Sequence, residues 1–254
     1  MEHGRQNLSL ETLGRISDVL NKQLITIGEG GVNLRIEGGH ELHGSVTLKR
    51  SKNAAVALLC VSLLNHGITR LKSFPRIEEV YRIIEVLGVR VKWSGNDLEI
   101  RRPEKLDISK INAKSAKMTR SVLMLLGPLM HEFDGFKIPY AGGCKLGART
   151  VTPHIYALEH FGVDAIAKTG HYEVIIDKKL PSERIVLYES GNTVTNNILM
   201  AAALSNGVTI IQGASADYMV QDLCAFLQKL GIKIKGIGTS ILEIRGVSEI
   251  KKNV

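Results

Sequence analysis

The sequence predicts a layered α/β fold made of three copies of one unit, and two observations carry that prediction. Hydrophobic residues make up 44% of the chain but aromatic residues only 5%. The core must therefore be assembled from Ile, Leu, Val and Ala, which suits stacked strands and helices better than an aromatic-rich binding module. The second observation is a repeated motif: Leu87-Gly-Val-Arg-Val91, Phe161-Gly-Val-Asp-Ala165 and Leu230-Gly-Ile-Lys-Ile234. In each copy the glycine stands where a helix C-cap needs a left-handed residue, and the residues after it open a strand. Gly88, Gly162 and Gly231 fall roughly 70 residues apart, a period of neither a solenoid nor a propeller.

The elements follow in order. Leu10, Leu13, Ile16, Leu20 and Leu24 recur at three-to-four spacing, so residues 1–30 predict a short amphipathic helix and a linker. Gly28-Glu-Gly-Gly31 reads as a flexible joint before a strand around Val32–Ile36, and residues 31–254 read as one domain. Within it the units span about 42–105, 106–180 and 181–248, each a strand, a buried helix, a strand, a helix and a hairpin. The buried helices are the stretches Asn53 to Gly67, Thr119 to Met130 and Asn197 to Gly207, apolar nearly all round and therefore enclosed by the fold. The hairpin strands after each motif copy are Asp97–Ile100, His171–Ile176 and Ser240–Ile244; Ser94-Gly95-Asn96 and Thr169-Gly170 supply turn chemistry for the first two. The three units are expected to pack around a shared centre with the buried helices inside.

Bulk properties narrow the function. A formal net charge of +8 favours an anionic partner, a phosphorylated metabolite or nucleic acid. Nucleic acid is disfavoured, because no basic stretch is interleaved with aromatic residues for base stacking. No apolar run is long enough for a membrane span, and the first residues lack the apolar core of a signal peptide. The three cysteines, Cys60, Cys144 and Cys224, cannot all pair, which predicts a reduced, cytoplasmic protein. No Cys/His cluster has zinc spacing, and no cofactor is expected.

The strongest chemical signal is Tyr140-Ala-Gly-Gly-Cys-Lys-Leu-Gly-Ala-Arg149. Its glycines let the backbone approach a ligand closely, and Lys145 and Arg149 favour the thiolate of Cys144 and hold an anion beside it. Three further clusters accompany it. Lys49-Arg-Ser-Lys-Asn53 opens the first buried helix, where Lys52, the amide of Asn53 and free backbone N–H groups form a clamp for phosphate or carboxylate; a capped, solvated helix start is the alternative. Arg120 leads directly into the second buried helix and needs an anionic partner, either a ligand or a structural ion pair. Gly147-Ala-Arg-Thr-Val-Thr-Pro-His154 places Arg149 and His154 within reach of one cleft, although His154 also suits an ordinary helix start.

From about residue 32 to its end, the chain resembles the UDP-N-acetylglucosamine 1-carboxyvinyltransferases, a family of enolpyruvyl transferases. The resemblance rests on Leu42-His-Gly-Ser-Val-Thr-Leu-Lys-Arg-Ser-Lys-Asn-Ala-Ala55, on Arg120-Ser-Val-Leu-Met-Leu-Leu-Gly-Pro-Leu129, and on Gly142-Gly-Cys-Lys-Leu-Gly-Ala-Arg149 followed by His154. It implies a prism-like domain of three repeated units. It also implies transfer of enolpyruvate from phosphoenolpyruvate to the 3′-hydroxyl of UDP-N-acetylglucosamine with release of phosphate, at the start of peptidoglycan precursor synthesis. By match, Cys144 is the proton donor that can bond to phosphoenolpyruvate, Lys52, Arg120 and Arg149 are the cations around phosphoenolpyruvate and the phosphates, and Asn53 contacts the sugar. Thr150, Val151, Thr152, Pro153, His154 and Asn192 fall at the positions implied to bind the nucleotide sugar. The chain departs from the family there: it reads Thr150-Val-Thr-Pro153 in place of Pro-Val-Asp-Leu, and Glu189-Ser-Gly-Asn-Thr193 where the family has a Ser-Val-Gly segment.

The family has two such domains, and this sequence matches the one that carries the cysteine loop. The catalytic aspartate and further arginines belong to the other. The expectation is therefore a fragment, or half of a split enzyme whose second domain comes from a separate chain. The alternative is a non-catalytic homologue that binds the nucleotide sugar.

Overall fold

The computed structural model describes residues 15, 18–19, 25–28, 31–34, 41, 43–46, 50–76, 84–85, 87–109, 120–140, 151–177 and 184–254. The chain forms two compact units, Met1–Lys49 and Arg50–Val254.

In the first unit, β1 (Ile25–Gly28) pairs antiparallel with β2 (Gly31–Leu34), with Gly28 opposite Gly31. The glycine-rich stretch expected as a joint thus holds the facing ends of a strand pair. Arg15, Asp18 and Val19 are helical, with Arg15 and Asp18 exposed; the apolar stripe expected around them lies outside the described residues.

The second unit realises the repeat. Helix α1 (Lys52–Ser62) starts at Ser51, whose hydroxyl accepts the Ala54 N–H, and buries residues all round. It leads to β3 (Ile68–Leu71), then β4 (Arg90–Ser94) and β5 (Asp97–Arg101), in the sheet order β3-β5-β4. In the next copy a 3₁₀ turn (Arg120–Leu125) runs into the short α2 (Leu126–Leu129), followed by β6 (Gly135–Pro139), α3 (Thr152–Glu159), β7 (Val163–Lys168) and β8 (His171–Ile176). This sheet has the order β6-β8-β7. The last copy is β9 (Arg184–Val186), α4 (Asn192–Ala203), β10 (Gly207–Gln212), α5 (Tyr218–Lys229), β11 (Lys233–Lys235) and β12 (Ile241–Gly246). In every copy the strand after the buried helix pairs antiparallel with the second strand of the hairpin. The motif glycines Gly88, Gly162 and Gly231 have φ of 84°, 79° and 99°, the left-handed geometry their positions demand.

Two features differ from the simple repeat. The second buried helix is mostly 3₁₀, because Pro128 offers no N–H and the Gly127 N–H is given to the Asn197 side chain at 3.0 Å. The first repeat has a further neighbour. Of the stretch expected to lead it, the described residues 43–46 carry no regular structure, and residues 42 and 47–49 lie outside the described residues. Residues 250–254 run parallel to β3, as β9 runs parallel to β10. Ile250 bridges Asn65, the Val254 N–H donates to the Ile68 carbonyl at 2.9 Å, and the Arg70 N–H donates to the Val254 carbonyl at 2.8 Å. The buried Asn65 side chain fixes the register: its amide donates to the Lys252 carbonyl (2.8 Å) and its oxygen accepts the Lys252 N–H (2.9 Å). Residues 250–254 therefore lie as an extended segment along the β3 edge of the first sheet.

Helix α4 lies at the centre, with every residue from Val194 to Ala203 buried. Helix α5 is amphipathic instead, burying Val220, Leu223, Cys224, Phe226 and Leu227 at three-to-four spacing. A buried cation braces the far end of α1. The Arg102 side chain, 1% exposed, pairs with Glu132 at 2.9 Å and donates to the carbonyls of Leu63, Pro103 and Glu104.

Two stability predictions follow from these contacts. A Cβ at residue 67 would lie 2.1 Å from the Lys252 carbonyl oxygen, so Gly67→Ala is expected to unseat the 250–254 segment and cost about 1–3 kcal/mol in urea denaturation; unchanged stability would count against that segment's place. Glu132→Ala leaves Arg102 its carbonyl partners but no counter-charge, and should cost about 1.5–3 kcal/mol in the same assay.

Candidate active site

Four helix starts meet at one end of the Arg50–Val254 unit. The Tyr218 hydroxyl, at the first residue of α5, reaches the Ser51 Oγ that caps α1, at 3.4 Å. Asp217 caps α5 through the Met219 N–H (2.8 Å), and the Asp217 N–H donates to Ser215 Oγ (3.2 Å). Ser215 Oγ donates to Asn192 Oδ1, at the first residue of α4, at 2.6 Å, and the Ser215 N–H donates to Thr195 Oγ1 at 3.0 Å. The beginning of α3 joins through His154, whose Nε2 lies 3.2 Å from Thr193 Oγ1. Lys52 and Asn53 are exposed in the first turn of α1, and Thr152 is exposed at the start of α3.

His154 is 2% exposed and belongs to a network whose protonation the neighbours dictate. The Gly127 N–H fixes Asn197 Oδ1 as an acceptor, so the Asn197 NH₂ group faces the Leu123 carbonyl and His154 Nδ1, both at 2.8 Å. Nδ1 therefore carries a lone pair, and the proton sits on Nε2, where it donates to Thr193 Oγ1. The imidazole ties α3, α4 and, through Asn197, the 3₁₀ turn that begins at Arg120. Of the residues expected to face a ligand, His154 is thus placed as a buried brace.

The helix starts differ in how they are finished. Ser51 and Asp217 cap α1 and α5 with side-chain oxygens. Helix α4 begins at Gly191, which has no side chain, and α3 begins at Val151, which has no polar one, with Pro153 in its first turn. In α3 the first turn has few free donors, because Pro153 has no N–H and the His154 N–H donates to the Val151 carbonyl at 2.9 Å. In α4 the first-turn N–H groups lack a side-chain cap, and such groups, together with the positive end of the helix dipole, attract anions. Lys52 adds a mobile cation to the same end of the molecule. Arrangements of this kind suit a phosphorylated ligand.

Cys144, Arg149, Thr150 and the side chain of Arg120 lie outside the described residues; the Arg120 backbone opens the 3₁₀ turn. The other two cysteines are buried, and desolvation pushes both thiols up to about 12, so neither is a thiolate at neutral pH. Among the described residues no His, Cys, Asp or Glu cluster is arranged to hold a metal ion, and no helix is long and apolar enough to cross a membrane. A cavity of about 510 Å³ lies at the opposite end of α1, lined by His66, Gly67, Arg101 and Lys251 among others, away from these helix starts.

The sequence reading missed Thr193, Thr195, Asn197, Ser215 and Tyr218. A signal for the first three was present: Asn192-Thr-Val-Thr-Asn-Asn197 is a polar run entering a helix that is otherwise apolar on every side. Such a run needs partners once buried.

With this geometry in place, comparison with known proteins is informative. The family profile for EPSP synthase (3-phosphoshikimate 1-carboxyvinyltransferase) matches residues 36–254. The UDP-N-acetylglucosamine 1-carboxyvinyltransferase of Thermodesulfovibrio yellowstonii is 34% identical over 86% of this chain and 52% of its own length. That of Borrelia garinii is 32% identical over 85% of this chain and 51% of its own length. Among solved structures, the enolpyruvyl transferase NikO from Streptomyces tendae superposes with a TM-score of 0.69 at 19% identity, covering 85% of this chain and 52% of that one. EPSP synthase from Acinetobacter baumannii superposes with a TM-score of 0.61 at 16% identity. The chain spans about half the length of the relatives it matches. The repeated unit with its buried helices, the shared end of helix starts and the match over residues 36–254 agree on one conclusion: this chain belongs to the EPSP synthase (3-phosphoshikimate 1-carboxyvinyltransferase) family, with an enolpyruvyl-transferase fold.

Proposed function

We propose that this chain forms the cysteine-bearing half of an enolpyruvyl transferase site that takes phosphoenolpyruvate and UDP-N-acetylglucosamine. The observation that carries the reading is the meeting of the α1, α3 and α4 starts, where two helices lack a side-chain cap and Lys52 and Asn53 stand exposed. The curated relatives support the choice of substrates, since they are named UDP-N-acetylglucosamine 1-carboxyvinyltransferases.

In this reading the sugar 3′-hydroxyl adds to C2 of phosphoenolpyruvate while a proton goes to C3; loss of the proton from C3 and of phosphate from C2 then yields the enolpyruvyl ether. The forward step needs a positioned acid, which is the role proposed for Cys144, and fixed positive charge around a highly anionic reactant. Lys52, Arg120 and Arg149 supply the cations, and Asn53 orients the sugar. The first turn of α4 receives a phosphate, and Thr150, Val151, Thr152, Pro153 and Asn192 contact the nucleotide sugar. His154 acts indirectly, by holding the two starts together. The aspartate and remaining arginines of the reaction belong to the half of the relatives that this chain does not match. The product would serve peptidoglycan precursor synthesis in the cytoplasm.

Cys144 is expected to be the reactive thiol. Alkylation of the native protein with an epoxide phosphonate, followed by peptide mapping, should label Cys144 ahead of Cys60 and Cys224; the reverse order would refute its assignment. The 254-residue chain is also expected to bind UDP-N-acetylglucosamine weakly, with affinity that falls as salt screens the exposed cations, and to lose binding in Arg120→Ala by calorimetry. Turnover by this chain alone should stay far below ordinary rates of ~1–1000 per second, because positioning both halves around the substrates is worth ~7–11 kcal/mol of barrier. Phosphate release that appears on adding the second half, and is lost again in Cys144→Ala, would establish the reading. Binding without turnover in that mixture would instead identify a non-catalytic nucleotide-sugar-binding homologue.

A further inference from the structure

Helix α4 presents two polar seams at its start. Asn192 and Thr195 face Ser215, and Thr193 and Asn197 face His154 and the 3₁₀ turn. At 100° per residue, Asn196 falls between these seams, one turn below Asn192 on the same face. It is 2% exposed, and its Oδ1 is the one buried side-chain oxygen or nitrogen among the described residues that lacks a hydrogen-bond partner. The other buried side-chain polar atoms among the described residues have partners, so this atom stands apart. Helical side chains tilt toward the helix N-terminus, which directs the Asn196 carboxamide to the first turn that Gly191 leaves uncapped.

Resting on the functional reading above, we propose that Asn196 is a specificity-determining residue whose Oδ1 accepts a hydrogen bond from a hydroxyl or amide N–H of the bound sugar. The chemistry separates this role from phosphate binding. An amide oxygen repels phosphate oxygens, whereas the first-turn N–H groups attract them. The two together recognise a ligand with an anionic group and a neutral donor roughly 6 Å apart, the rise of one helical turn from Asn192 to Asn196. An unpaired buried acceptor destabilises the empty protein, and pairing it with a donor on the sugar favours the complex over one with the nucleotide alone.

The test compares UDP-N-acetylglucosamine with UDP, by calorimetry, on the full 254-residue chain and its Asn196→Leu variant. Asn196→Leu keeps the branched shape at a larger volume and removes both amide atoms. It should weaken UDP-N-acetylglucosamine binding by about three- to tenfold and leave UDP binding unchanged within about twofold. Asn196→Ala, which cannot overpack the site, should show the same selective loss. Equal weakening of both ligands by both variants would overturn the proposal by marking a satisfied structural amide; unchanged binding of both would overturn it as well. If the wild-type chain binds neither nucleotide, the functional reading falls and the sugar contact with it. Wild-type binding that Asn196→Leu leaves intact defeats this inference alone.

Discussion

The constraint on which the rest of the structure depends is the complete burial of α4. A helix enclosed on all sides cannot leave polar groups to water, yet α4 begins with Asn192-Thr-Val-Thr-Asn-Asn197. The polar side chains that are buried there need partners from other elements, which all but the Asn196 oxygen find, and the partners come from three directions. Thr195 and Asn192 recruit Ser215 before α5, Thr193 and Asn197 recruit His154 of α3, and Asn197 also holds the 3₁₀ turn through Leu123 and Gly127. Burial of the apolar remainder supplies the driving force, at about 1.5–3 kcal/mol for each large side chain removed from water. The polar start makes that packing specific, because a shifted or rotated helix would strand several amides without partners.

The site follows from the same constraint. Because the starts of α3, α4 and α5 must meet to satisfy one another, and Ser51 meets Tyr218, four helix N-termini face one region. Two of them are finished by side chains and two are not. The arrangement that stabilises the core thus also leaves the α4 start without a side-chain cap at the end of the unit where Lys52 is exposed. In the proposed reading, Asn197 and His154 serve the ligand only by holding that arrangement together.

The 250–254 segment shows how much of the architecture is long-range. Asn65 and Lys252 are joined by paired hydrogen bonds although nearly the whole domain lies between them in sequence. The edge of the first repeat's sheet is thus covered by residues that follow the third repeat in sequence. The two uninvolved cysteines fit this picture: both are packed inside helices, and burial holds their thiols protonated.

Much of this was legible in the sequence by itself. The three Leu-Gly-Val-like motifs determined the helix ends and hairpins, since a left-handed glycine and an alternating strand are local requirements that neighbouring residues settle, and the all-apolar helices announced their own burial. Three repeated units with buried helices followed from those signals, and the prism from the resemblance to the enolpyruvyl transferases. Three things were decided only by tertiary structure. Residues 250–254 run along the edge of the first sheet; His154 is buried in a network with Asn197 and Thr193; and Thr193, Thr195, Asn197 and Asn196 gather at one end of the fold. The reason is physical. Periodicity and capping are set within a turn or two of chain, whereas which edge a strand pairs with, and which buried amide finds a partner, depends on surfaces that meet only when distant segments pack.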